Sequence, residues 1–402
     1  MALGAEVARR LTGDLERYKE REARNQTIGR STMRRRSPML VTAVAVIVGL
    51  LPQHVSAADW QAEWERTLAA AKKEGKVVVG IPARDELRKE MEVKFSRFGI
   101  DMELFPARGP QNASRIASEY QAGVRYFDAF IGGSGTYESL VYAEMVEPFA
   151  PLMILAEVKD PKNWWGGHIW EDNVKTNRFL YSFIADAGTG GLWYHTKLSR
   201  PEELRSYDDL LHPRLKGKIG LLDPRTPGSG QSVWSFLWDI KGEDYLRRLV
   251  QQDLFVSRDQ RQIADALAKG KLYVALGVSF YTLDRFIKAD LPVKEAPTPK
   301  EGQPSSNGSG VLGVVKNPPH PNAAKVFINW LLSREGQELY VKVMQQATRR
   351  LDVDTKWLLE FGVHAAKDVL TVEEYHRVRN HLEDKYNSVR VPSAKFAEQL
   401  LK

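Results

Sequence analysis

The chain has 402 residues, 43% hydrophobic and 27% charged, with no cysteine; one hydrophobic core rarely covers that length, so two lobes are expected. Without cysteine there are no disulfides, no thiolate metal ligands, no Cys nucleophile and no lipid-bearing Cys to anchor an exported protein. The net charge of +7 points to nucleic acid only until residues 1–57 are set aside, because these hold ten Lys/Arg and five Asp/Glu and leave 48 basic against 46 acidic residues, or +2, with no electrostatic footprint for DNA or RNA.

The leader comes first. Met39 to Leu51 is almost wholly apolar, follows Arg34-Arg35-Arg36, and precedes Pro52 and then Val55-Ser56-Ala57-Ala58. A positive stretch, a short apolar run and small residues at a cleavage position make a secretory signal, cut near Ala57/Ala58. The run is about 13 residues, where a membrane span needs about 20. Residues 1–32 are rich in Arg and Glu and lie upstream of Met33, which is the expected start of the signal.

Beyond the leader the chain alternates. Trp60 to Lys73 carries Trp60, Trp64, Leu68 and Ala71 at helical spacing and stops at Gly75; Lys76 to Ile81 reads as a buried strand. A helix over Glu86 to Phe98, a strand over Met102 to Phe105, a helix over Asn112 to Ala122 and a strand over Phe127 to Ile131 follow. Strand and helix in alternation with short connections are the mark of a doubly wound α/β lobe. The middle is turn-rich at Trp164-Trp165-Gly166-Gly167 and again at Asp186 to Gly191. Strand-like Phe179 to Ile184 and Leu192 to Tyr194 accompany these turns and mark a crossing into a second lobe. That lobe holds strands at Lys218 to Leu222 and Leu272 to Leu276 and helices at Gln231 to Trp238 and Gln260 to Ala268. A Pro/Gly/Ser-rich stretch, Ala296 to Gly310, leads back to a strand at Val311 to Val315 and a helix at Asn322 to Leu332. The expected division is 58–175 for the first part of lobe 1, 176–299 for lobe 2, 300–347 for the return to lobe 1, and 348–402 for a C-terminal helical segment of unassigned role.

Concentrated catalytic chemistry is missing. There is no His-Glu-x-x-His, no Gly-x-Ser-x-Gly and no phosphate loop of the Gly-x-x-x-x-Gly-Lys-Ser/Thr type. Gly308, Gly310 and Gly313 match Gly-x-Gly-x-x-Gly but precede a strand rather than opening a helix. His376 and His381 are five apart, off the spacing that two helix-borne metal ligands need.

From about Trp60 to Asp352 the chain resembles the type II periplasmic solute-binding proteins of ABC importers, in the branch related to ferric-iron, polyamine and phosphonate binders. The resemblance is carried by Gly75-Lys76-Val77-Val78-Val79 and by Leu215 to Pro224 with Ser229-Gly230. It is strongest in Lys316-Asn317-Pro318-Pro319-His320-Pro321-Asn322 with Phe327 to Ser333 and Glu335-Gly336-Gln337. It implies two α/β lobes closing on a small solute, no cofactor, a monomer in the periplasm, and an ABC permease in the inner membrane as partner. A ligand-sensing input protein shares these requirements. A secreted enzyme on the same fold would need the cysteine nucleophile that this chain lacks.

In an open α/β sheet, ligands gather beyond the carboxyl ends of the strands, where helix starts point their N–H groups outward. Three loops qualify: Pro82 to Asp85 with Arg84, Gly132 to Thr136 with Ser134, Gly135 and Thr136, and Arg225 to Gln231 with Arg225, Ser229, Gly230 and Gln231. Glycine lets a backbone approach a ligand, hydroxyls donate hydrogen bonds, and the set suits an oxyanion. Gly-Ser-Gly is equally an ordinary strand-to-helix turn. Arg84 bonds a carboxylate or phosphonate, or pairs with Asp85 or Glu86, and Arg225 presents a similar choice. Iron-binding relatives carry adjacent tyrosines on the second lobe, whereas Val278-Ser279-Phe280-Tyr281-Thr282 keeps only Tyr281. Ferric iron is therefore the second expectation, behind a small anion.

Overall fold

The computed structural model describes residues 57–133, 137–172, 178–187, 191–305, 307–361, 363–378 and 385–401. The expected secretory run and residues 1–56 as a whole lie outside them. The first lobe opens with α1 (Ala57–Glu74), β1 (Lys76–Ile81), α2 (Asp85–Phe95), β2 (Asp101–Pro106), α3 (Gly109–Gln121) and β3 (Ala129–Gly132), and continues through β4 (Ile169–Trp170), β5 (Tyr181–Ser182) and β6 (Asp186–Ala187). The second lobe comprises β7 (Leu192–His195), β8 (Ile219–Leu222), α4 (Ser229–Val250), β9 (Phe255–Ser257), α5 (Gln260–Ala268), β10 (Val274–Leu276), α6 (Phe280–Lys288) and β11 (Val293–Glu295). The chain then returns through β12 (Val311–Val314), α7 (Pro321–Leu332), α8 (Arg334–Met344) and β13 (His364–Ala365), and ends in α9 (Val391–Leu400).

Two sheets result. The first runs β2-β1-β3-β12-β5-β4, with β1 parallel to β2 and β3 and β12 antiparallel to β3; the second runs β11-β7-β10-β8-β9. Alternation along β1 explains why both faces of the first sheet are covered. Val77, Val79 and Ile81 pack with Leu87, Met91, Phe95, Phe327 and Trp330, while Val78 packs with Ile116, Phe130 and Val311 on the other side. The loop closures are polar and specific. Glu74, at the end of α1, accepts from the backbone N–H groups of Asn322 and Ala323 at 3.0 and 2.8 Å, and so caps α7 behind Pro321. Asp128 accepts from the backbone N–H groups of Val78 and His320, each at 2.7 Å, and ties the returning chain to β1.

This is the two-lobed, doubly wound α/β architecture expected, but the crossing lies further along. The expected boundary at 175/176 put Phe179 to Ile184 in the second lobe, whereas β5 pairs with β12 and β4 inside the first sheet. The first lobe therefore holds the chain through Ala187, and β6 pairs with β13 in a separate two-stranded ribbon. Hydrophobic patterning identified the strand; its place in the first sheet is set by pairing with β12, more than a hundred positions away.

The C-terminal segment divides between the lobes. Wholly buried Arg349 donates to the carbonyls of Ser182, Trp165 and Gly167, so residues 348–350 are stitched to the first lobe. Residues 385–401 lie on the second, where Phe396, Ala397 and Leu401 join the core of Val233, Trp234 and Leu237. Ser393 fixes that docking, since its carbonyl accepts from Trp234 Nε1 and its hydroxyl meets Ser235 Oγ, both at 2.8 Å. Among the described residues no helix is long and apolar enough to cross a membrane.

Candidate functional site

The carboxyl ends of β1, β2 and β3 in one lobe and of β8 and β9 in the other open onto a shared cavity of about 560 Å³. This is where an open α/β sheet leaves helix N-termini and loop backbone free to meet a ligand. From the first lobe the cavity is lined by Pro82, Arg84, Arg108, Gly132 and Gly133; the second contributes Thr226, Ser229, Arg258, Arg261 and Ser279.

The expected residues are distributed unevenly around it. Arg84, in extended backbone just ahead of α2, lines the cavity and makes a 3.5 Å contact with exposed Glu86. That contact is too long and too wet to hold it. Ser229 also lines the cavity, donating its hydroxyl to the Gly277 carbonyl at 2.6 Å. Ser134, Gly135 and Thr136 lie outside the described residues, as does the side chain of Tyr281, whose backbone belongs to α6.

Three residues of the second-lobe loop serve other purposes. The Arg225 guanidinium is not on the cavity wall: Nε and Nη2 donate to the two oxygens of buried Asp223 at 2.8 Å each, and Nη1 meets the Leu401 carbonyl at 2.5 Å. A bidentate carboxylate two residues away satisfies the fork locally. Gly230 is buried, and a Cβ there would fall 2.8 Å from the Leu222 carbonyl carbon and 2.9 Å from its Cβ, so glycine serves to press α4 onto the end of β8. Gln231, also buried, accepts from Arg390 Nη2 at 2.6 Å.

Other lining groups were not anticipated. Arg108 stands between β2 and α3, and Arg258 and Arg261 between β9 and α5 or at its start. Arg108 obeys the strand-to-helix rule that picked out Arg84, whereas Arg258 and Arg261 follow β9, a strand that the sequence patterning did not mark. Arg258 donates Nε to Asp223 at 3.1 Å. Burial works against the Asp223 charge, yet the hydrogen bonds from Arg225 and Arg258 prevail and hold the carboxyl below its ordinary range. Two acids in the same cavity behave oppositely. Asp186, 1% exposed, accepts from the Ala347 N–H at 2.5 Å through Oδ1, while Oδ2 has no partner among the described residues. Its pKa is pushed up to about 8 by burial, and Glu295 is pushed up to about 8 by burial and by nearby Asp186. Arg390, 1% exposed, completes the lining.

Residues 119–338, more than half of the chain, match the model of the family described as bacterial extracellular solute-binding protein. The chain belongs to that family. Solved structures with this fold include FutA (IdiA) of Trichodesmium in complex with iron and citrate, 19% identical with a TM-score of 0.60, covering 81% of this chain and 99% of that one. Iron-bound HitA from Pseudomonas aeruginosa has a TM-score of 0.60 at 16% identity over 81% and 99% of the two chains. AfuA from Actinobacillus pleuropneumoniae, with exogenous fructose-6-phosphate bound, has 0.58 at 16% identity with the same coverage. These likenesses establish a type II periplasmic binding fold. Among curated proteins, iron uptake protein A1 of Synechocystis is 27% identical over 162 residues, 36% of this chain and 44% of that protein. An uncharacterized protein of Haemophilus influenzae is 28% identical over 148 residues, 36% of this chain and 41% of that protein. The chain thus matches less than half the length of these two relatives.

Proposed function

We propose that this family member is the receptor of an ABC importer, which captures a small anionic solute between its lobes in the periplasm and delivers it to an inner-membrane permease. The observation that carries this reading is the arginine lining. Arg84 and Arg108 from one lobe and Arg258, Arg261 and Arg390 from the other line a single cavity at the strand ends. A solute that touches both lobes favours the closed form through contacts that the open form lacks, and closure is what a permease can recognise. The Ser279 hydroxyl, just ahead of α6, supplies a neutral donor beside the cations. Binding and closure are sufficient for this role, and no catalytic constellation is required.

Ferric iron is the second reading, favoured by the relatives named for iron uptake or solved with iron. Arginines on the wall oppose a bare cation, and among the described residues no group of three His, Asp or Glu side chains is placed to hold a metal ion.

Native mass spectrometry of the full chain, after exposure to the small-molecule fraction of a cell extract, separates the two. Retention of a low-mass organic or inorganic anion supports the anionic reading. Retention of iron alone supports the second. If neither is retained, both readings lose their basis.

A further inference from the structure

The end of the chain brings a cation back into the second lobe. Arg390 immediately precedes α9, is 1% exposed and lines the cleft. Its Nη2 donates to Gln231 Oε1 at 2.6 Å, while among the described residues Nε and Nη1 have no hydrogen-bond partner. Arginine keeps its charge when buried, so the guanidinium carries a full positive charge into the lobe. Buried charge without a counter-charge is costly and persists where something else compensates it.

The position is also built. Gln231 lies in the first turn of α4, and since arginine can only donate, the amide oxygen must be the atom facing Arg390. The backbone is held by the docking of α9 onto α4 through Ser393, Phe396 and Ala397. The guanidinium is therefore held at the cavity wall beside the helix start that carries Ser229.

We propose that Arg390 is the anion anchor of the cleft, the second-lobe group to which a carboxylate, phosphate or phosphonate of the solute binds, and that the C-terminal segment belongs to the binding machinery. The inference rests on the anionic reading above and assigns it a residue. Gln231 then acts as a positioning residue. Arg84, reaching the same cavity from the first lobe, lets one anion bridge the lobes.

The test uses the full chain and two probes, inorganic phosphate and citrate, titrated at constant ionic strength by calorimetry and by thermal melting. Wild-type protein is expected to bind at least one saturably, and Arg390→Gln to bind it roughly ten- to a hundredfold more weakly, the equivalent of one charge-assisted hydrogen bond. Without probe, Arg390→Gln should melt at or above the wild-type temperature, because an uncompensated buried charge has been removed. A purely structural arginine would do the reverse, lowering the melting temperature and leaving affinity unchanged, and that outcome overturns the proposal. Wild-type binding that weakens in Arg84→Ala but not in Arg390→Gln keeps the anionic reading and removes Arg390 as its anchor. If wild type binds neither probe, the anionic reading fails and the anchor with it. Should Arg390→Gln not fold, Arg390→Lys keeps the charge but lacks the guanidinium donors, and affinity unchanged in that variant also overturns the proposal.

Discussion

Replacing Arg225 with alanine distinguishes a structural cation from a ligand-binding one. Its guanidinium grips both oxygens of Asp223 at 2.8 Å, and Asp223 is only 2% exposed on its side chain, against 30% for Arg225. Removing one partner of a fully buried pair costs about 3–5 kcal/mol. Here the arginine is partly solvated, and Asp223 keeps Arg258 Nε at 3.1 Å and the backbone N–H of residue 225 at 3.0 Å. The expected loss is therefore smaller, about 1–2 kcal/mol. At roughly 2–4 °C per kcal/mol for a unit of this size, the empty protein should melt about 2–8 °C lower. Solute affinity should change by less than about twofold, because no charge-assisted bond to ligand is lost. The pH dependence supplies an independent check. Asp223 titrates below its ordinary range in the folded protein, so its stabilisation is complete above about pH 4 and is lost as pH falls through the folded pKa. The gap between wild type and variant should thus close on acidification below pH 4. Urea unfolding of both proteins from pH 3 to 8, with calorimetry at pH 7, measures each quantity. An unchanged melting temperature together with a tenfold loss of affinity would refute the reasoning and put Arg225 on the solute.

Three further outcomes are expected, two from the structure and one from the sequence. Gly230→Ala forces a methyl group against the Leu222 backbone and should destabilise by about 1–3 kcal/mol in urea, and a neutral result would mean α4 does not press on β8. Asp186, with its pKa raised to about 8, makes the empty protein lose stability as pH rises from about 4 through 8; Asp186→Asn should flatten that slope, and parallel wild-type and variant curves would count against the burial argument. N-terminal sequencing of material recovered from the periplasm should begin near Ala58, and any residue before Met39 contradicts the secretory reading of Arg34 to Leu51.

Local patterning carried much of this protein. The continuous apolar run of Lys76–Ile81 and the helical period of Gln260–Ala268 gave elements with the bounds that the structure shows, because apolar patterning records which side chains must leave water. The strand-to-helix rule located Arg84 and Ser229 on the cavity and applies equally to Arg108, while Arg258 follows β9, which the patterning did not mark. What periodicity does not record is which core receives an element. Tyr181–Ser182 reads as a strand, yet its place in the first sheet depends on β12, about 130 residues later. Arg225 and Asp223 stand two positions apart, but whether the arginine turns to its neighbour or to a solute is decided by the buried carboxylate that the fold creates. Arg390 is the extreme case, since nothing near it in the chain marks it. It reaches the cavity only because α9 docks on a helix about 160 residues earlier and Gln231 meets it there. Residue types and spacing thus determined the alternating elements and several strand-end loops, while long-range packing decided which core each element joins and which arginines line the cavity.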